Sequence, residues 1–166
     1  MSVKFTIRDA VKADVPLIVA FVRNLASYEK LEDQCEVTED LLAEAMFGPR
    51  GNLFGVIAEV DGAPAGFAVY FYNFSTFVGR RGLYLEDVYV DTGFRRHGIG
   101  KGIFHYLARK AVDEGCGRFE WAVLNWNAPA LKFYKNMGAV PLSEWQTQRL
   151  TGEALQAAAS YTAGDK

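Results

Sequence analysis

Residues 83–102 read LYLEDVYVDTGFRRHGIGKG. An apolar run, Leu83–Val90, leads into a segment in which Gly98, Gly100 and Gly102 stand among Arg95, Arg96, His97 and Lys101. Glycines let backbone approach an anion closely, and the first N–H groups of a helix opening at Gly98 point at it. The stretch therefore reads as strand, anion-binding turn and helix, the signature of an α/β fold.

Two common phosphate loops fail on spacing. GxxxxGK[ST] anchored on Gly100-Lys101 needs glycine at 95 and Ser or Thr at 102, where the chain has Arg95 and Gly102. GxGxxG anchored on Gly98 and Gly100 needs glycine at 103, which is Ile103. Arg95-x-x-Gly98-x-Gly100 remains. Its local alternative is a basic helix entry whose glycines serve a turn.

Working outward, Phe5–Arg8 reads as a first strand. Asp14 and Pro16 open a helix whose apolar face carries Val15, Ile18, Val22 and Leu25 and which ends near Tyr28. Thr38 begins a second helix, with Glu39 and Asp40 in its first turn, where negative charge suits the dipole. Leu53–Val60 and Ala65–Tyr72 flank Asp61-Gly62 and predict a hairpin. Gly82–Val90 is the next strand, and Gly115 stops the helix 98–114. Phe119–Leu124 is a further strand. Asn127 and Pro129 open a helix that runs to about Asn136, and Gly138 ends it. Trp145–Leu150 reads as a last strand, and the tail from Thr151 to Lys166 starts helical and finishes polar. The order predicts a mixed, mostly antiparallel sheet flanked by helices, in one domain spanning 1–166.

Composition narrows the function classes. Half of the 166 residues are hydrophobic and 14% are aromatic, enough for a packed core and against disorder. A net charge of −2 disfavours a nucleic-acid binder. No apolar run is long enough to span a membrane, and the first residues lack the apolar core of a secretory signal, so a cytoplasmic protein is expected. Cys35 and Cys116 form no CxxC pair and read as reduced thiols ahead of a disulfide. No metal site is expected.

Three stretches, LYLEDVYV, FRRHGIGKG and NWNAPALKFYKNMGA (125–139), together resemble the GNAT superfamily of acyl-CoA-dependent N-acetyltransferases. With ASYEKLEDQ at 26–34, the chain is most similar to the spermidine/spermine and thialysine N-acetyltransferase branch. The resemblance runs from Phe5 to about Leu155. It implies the GNAT fold, acetyl-CoA as co-substrate, a small amine acceptor and a homodimer built through the tail and last strand. It implies that backbone groups of Val88, Tyr89 and Val90 hold pantetheine. Arg95, Arg96, His97, Gly98, Ile99, Gly100 and Lys101 would hold the pyrophosphate. Asn127, Ala128, Pro129 and Ala130 would also touch coenzyme A. Tyr28, Glu29, Glu86, Glu120, Trp121, Ala122 and Gln146 map to the acceptor side. The family's acidic contact falls on Gln146, which leaves the identity of the amine open.

Two residues carry the proton chemistry. In Leu83–Val90, alternation sets Leu83, Leu85, Asp87 and Tyr89 against Tyr84, Glu86, Val88 and Val90. A charged pair in such a strand needs a reason. Read locally, one carboxylate faces solvent and the other pairs with Lys or Arg, a reading that suits Asp87 more than Glu86; the resemblance makes Glu86 the substrate contact and the base. An aliphatic ammonium has a pKa near 10.4, so neutralising it at pH 7 costs about 4.6 kcal/mol, and a base must take the proton. Tyr134 reads as core by itself. In the resemblance it protonates the departing thiolate, which suits a phenol that stays protonated at pH 7. Seven carboxylates between Tyr28 and Glu44 against Lys30 form an acidic stretch that would draw in a small cation. The expectation is an acetyl-CoA-dependent N-acetyltransferase for a polyamine or a lysine-like amino acid, by direct attack in a ternary complex. A protein acetyltransferase and a non-catalytic acetyl-CoA sensor are the alternatives.

Overall fold

The computed structural model describes residues 3–160. The chain divides into two compact units, Met1–Ala122 and Val123–Lys166.

The first unit is a five-stranded sheet in sequence order: β1 (Thr6–Asp9), β2 (Phe54–Val60), β3 (Ala63–Ser75), β4 (Arg80–Val90) and β5 (Phe119–Trp121). β1 to β4 pair antiparallel, and β5 joins β4 in parallel. The parallel step needs a crossover, supplied by α3 (Ile99–Asp113). α1 (Val15–Glu29) and α2 (Glu39–Phe47) lie between β1 and β2 in the chain. The α/β class and mixed, mostly antiparallel sheet match the sequence reading.

Local chemistry explains most boundaries. Asp61 and Gly62, both at positive φ (49° and 80°), make the two-residue turn that sets Val60 opposite Ala63. Thr38 accepts the Leu41 N–H at 3.2 Å and caps α2. Gly115, at φ 69°, follows the end of α3. Asp14 departs from expectation. Its carboxylate does not cap α1 but takes Arg8 in a two-point ion pair at 2.7 and 2.9 Å and accepts the Val11 N–H at 2.8 Å. A charge-assisted bidentate bond outcompetes a neutral N-terminal N–H. Arg8 also donates to Glu59 at 2.9 Å, which locks β1 to β2.

The sheet is buried on both faces. Val15, Ile18, Val19 and Phe21 of α1 pack with Leu42 of α2 against Ile57, Phe67, Val69 and Tyr89. On the other face α3 buries Ile99, Ile103, Phe104, Leu107 and Ala111.

One irregularity sets the site. Val69 opposes Asp87 but its neighbour Tyr70 opposes Leu85, so Glu86 is an unopposed extra residue in β4. Such a bulge flips the side-chain parity of the strand. Strict alternation joins Asp87 to Leu83 and Leu85. Instead Leu83 and Leu85 share a face with Tyr72 and Tyr70, while Asp87 turns with Val69 toward the α1 layer.

The second unit holds α4 (Ala128–Asn136) and α5 (Gly152–Ala159). Asn127 caps α4 by accepting the Ala130 N–H at 3.3 Å, and Gly138, at φ 87°, follows its end. The expected strand at Trp145–Leu150 does not form, and every residue in it is exposed. Its sequence offers no apolar face to alternate with a polar one, and a strand without a partner is not stable. β5 also ends earlier than expected, at Trp121 instead of Leu124. The last polar residues of the predicted tail lie outside the described residues. Among the described residues, Cys35 and Cys116 are free thiols, and no helix is long and apolar enough to cross a membrane.

Candidate active site

The bulge gathers carboxylates. Asp87 is half-buried. Burial pushes its carboxyl up to about 6, helped by the neighbouring charges of Glu86 and Glu29. Glu29, on the last turn of α1, is also raised, by burial. Glu86, at the bulge itself, is exposed. Three carboxylates from α1 and β4 thus share one region, and the acid of β4 whose carboxyl is raised is Asp87, whereas the resemblance singled out Glu86 as the base. Two adjacent acids in an apolar strand were the available signal; the face each one takes was set by the bulge.

Tyr84 and Glu120 extend this region. They oppose one another in the β4–β5 ladder. The Tyr84 phenol is raised, first by burial and then by Glu86 and Glu120. Glu120 is partly neutralised by Arg118 Nε at 2.7 Å and accepts from Asn73 Nδ2 at 3.4 Å. Trp121 turns elsewhere: its ring lies 5.0 Å from Phe104 of α3 and 5.1 Å from Phe119. Ala122 is exposed just beyond β5.

The donor side begins where β5 stops. The β4–β5 ladder ends at Leu85 opposite Trp121. Among the described residues no strand pairs with that edge of Glu86–Val90. An extended amide chain can add to such an edge through backbone hydrogen bonds at Val88 and Val90. Past β4, Asp91 accepts the Gly93 N–H at 3.0 Å and tightens the turn. Arg96 (φ 66°) and Gly98 (φ 82°) both sit in the left-handed region just before α3. A Cβ built on Gly98 would meet nothing within 4 Å, so that side of the loop is open. Arg96, His97 and Lys101 are exposed around the helix start. Unpaired first-turn N–H groups, an open loop and three basic side chains fit a diphosphate.

Arg95 behaves differently from its neighbours. Its Nε donates to the Val90 carbonyl at 3.0 Å. Its guanidinium lies 5.0 Å from the Tyr28 ring centroid and 5.4 Å from that of Tyr89.

In the second unit, Asn127 is the α4 cap, and Ala128, Pro129 and Ala130 form the first turn that it closes. Tyr134 is half-buried late in α4 with its ring 5.4 Å from Phe133. Gln146 lies in the exposed stretch before α5. No group of three or more His, Cys, Asp or Glu able to hold a metal occurs among the described residues.

Known proteins resemble this chain in sequence and in fold. The thialysine N-epsilon-acetyltransferase of Sus scrofa is 38% identical over 161 residues, covering 90% of this chain and 94% of the relative. The L-ornithine N5-acetyltransferase of Arabidopsis thaliana is 31% identical, covering 91% of this chain and 86% of its own. An integron cassette protein from the mobile metagenome of V. cholerae has the same fold, with a TM-score of 0.79 at 26% identity over 97% of this chain and 99% of that one. The acetyltransferase (GNAT) family model matches residues 20–139 and so takes in the bulged strand, the glycine loop and α4. The chain belongs to the GNAT acetyltransferase family, enzymes that move an acetyl group from acetyl-CoA to an amine.

Proposed function

We propose that the enzyme acetylates a primary amine of a small cationic acceptor, a lysine-like amino acid or a polyamine, by direct attack on acetyl-CoA in a ternary complex. The observation that carries this reading is the carboxylate group formed by Glu29, Glu86 and Asp87. It offers an ammonium more negative charge than a neutral acceptor would need. The relatives' acceptors, thialysine and L-ornithine, are amino acids with a side-chain amine and support the amino-acid branch.

The steps divide among the residues as follows. Exposed Glu86 meets the incoming ammonium. Asp87, with its carboxyl raised to about 6, accepts the proton directly or through a water. The neutral amine attacks the thioester carbonyl, whose developing oxyanion is held by a backbone N–H near Val88. The glycine loop and the α3 N-terminus hold the diphosphate, and the free edge of β4 holds the pantetheine arm. Tyr134 donates a proton to the thiolate as it leaves, and Gln146 serves the acceptor; both roles rest on the family resemblance. The family match spans parts of both compact units, which supports reading 1–166 as one catalytic domain. A homodimer and a cytoplasmic location complete the proposal.

The test follows thiol release from acetyl-CoA with lysine, thialysine, ornithine, putrescine, spermidine and spermine. An amino acid with a side-chain amine should give the highest kcat/KM. No thiol release with any of the six would overturn the small-amine reading in favour of a protein acceptor or a sensor.

A further inference from the structure

Within an anion loop, the first basic residue should turn its charge toward the anion. Arg95 does not. Its guanidinium is pulled back onto β4 by the Val90 carbonyl and lies against Tyr28 and Tyr89. Tyr89 belongs to the core, with its ring 5.9 Å from Phe21 and Phe21 stacked 5.6 Å from Phe67. Tyr28 does not: it is 40% exposed at the end of α1.

The packing of α1 makes this contact consequential. The buried residues of the helix, Val15, Ile18, Val19 and Phe21, all lie in its first half. From Val22 onward no side chain is fully buried. The end of the helix closes on Lys30 in the left-handed conformation (φ 60°), whose N–H returns to Ala26 and Ser27. That cap fixes the helix to itself and not to the sheet. Val22 and Leu25 pack this half of the helix partly against the core; a guanidinium against the aromatic face of Tyr28 adds an attachment at the last turn, and partial desolvation strengthens it.

Resting on the proposed acceptor roles of Tyr28 and Glu29, we propose that Arg95 is a positioning residue for the amine. Held between Tyr89 and Tyr28, it ties the last turn of α1 to the end of β4 and so keeps Glu29 in register with Asp87. Because Arg95 also opens the glycine loop, any ordering of that loop by coenzyme is transmitted to the acceptor's carboxylates. The two substrates are then energetically coupled through one side chain.

A double-mutant cycle separates this from a plain diphosphate contact. Arg95→Lys keeps the charge but loses the planar stack; Tyr28→Leu loses the ring; Tyr28→Phe keeps it. At saturating acetyl-CoA, Arg95→Lys and Tyr28→Leu should each raise the acceptor KM about tenfold with kcat changed far less. The double variant should be no worse than the poorer single one, because both remove the same contact. Tyr28→Phe should retain the sensitivity to Arg95→Lys. Multiplying effects, about a hundredfold in the double variant, would overturn the proposal, as would a change in acetyl-CoA affinity with the acceptor KM intact.

Amide exchange supplies a readout that needs no turnover. Protection of Leu25–Lys30 should fall about tenfold in Arg95→Lys while that of Val15–Phe21 holds. Unchanged protection overturns the proposal even if the wild type acetylates none of the amines tried, an outcome that would instead defeat the acetyl-acceptor reading.

Discussion

Replacing Asp87 with asparagine should make the protein more stable and less active, with a defined dependence on pH. The Asp87 carboxyl is raised from 3.8 to about 6, mainly by burial and further by Glu86 and Glu29. The folded state therefore holds the proton more tightly than the unfolded chain does. Stability from this group is fully present below about pH 4 and is lost as pH rises through about 6. A shift of about two units at 1.36 kcal/mol each makes the ionised group cost roughly 3 kcal/mol at pH 8 and about 1 kcal/mol at pH 4.5. Asparagine has nearly the same shape and cannot ionise. Urea unfolding should show Asp87→Asn gaining up to about 3 kcal/mol over wild type at pH 8, with the gain shrinking by about 2 kcal/mol at pH 4.5. The same variant should lose most of its kcat. In wild type, kcat/KM should fall more steeply below about pH 6, and in the variant that extra steepness should vanish. A stability difference that is the same at both pH values would refute the raised carboxyl and, with it, the choice of Asp87 as proton acceptor.

Three further outcomes are expected. Tyr134→Phe should fold and bind acetyl-CoA normally but lower kcat about a hundredfold, the scale of a lost general acid; an unchanged kcat in stopped-flow thiol release removes Tyr134 from the reaction. Asp14→Ala strands Arg8 beside Glu59 and should cost about 2 kcal/mol in urea unfolding at pH 7. Because Arg8 holds the Asp14 carboxyl below its ordinary value, that cost should persist above about pH 4 and fade as pH drops further; a cost that is constant into acid contradicts the pairing. Gly98→Ala introduces a side chain at φ 82° with nothing within 4 Å, so stability should fall only about 1 kcal/mol. Acetyl-CoA affinity by calorimetry should fall more than tenfold if a diphosphate lies against that backbone, and an affinity unchanged by the substitution places it elsewhere.

Much of the molecule was legible in one dimension because the controlling contacts are local. Thr38 and Asn127 cap helices through N–H groups three residues away, and Asp61-Gly62 turns a hairpin through its own φ angles. The strand, glycine loop and helix of 83–113 follow from period and punctuation, and the family resemblance of these segments implied acyl-CoA chemistry before any coordinates. Asp14 shows where this stops. It carries every local mark of a cap, yet Arg8, whose hold on β2 depends on strand pairing, claims its carboxylate.

The site divides along the same line. Residue types and spacing alone determined that an acidic pair lies in an apolar strand and that a basic glycine loop follows it; that Tyr28-Glu29 belongs with them came from the family resemblance. Tertiary structure decided which acid is half-buried and which exposed, since a bulge is a relation between two strands and leaves no mark in either one. It turned Asp87 toward α1, sent the ring of Trp121 to α3, ended β5 early enough to leave the edge of β4 open, and folded Arg95 back onto Tyr28. Each depends on which surfaces meet across the chain, and sequence period reports only how one segment faces a partner not yet specified.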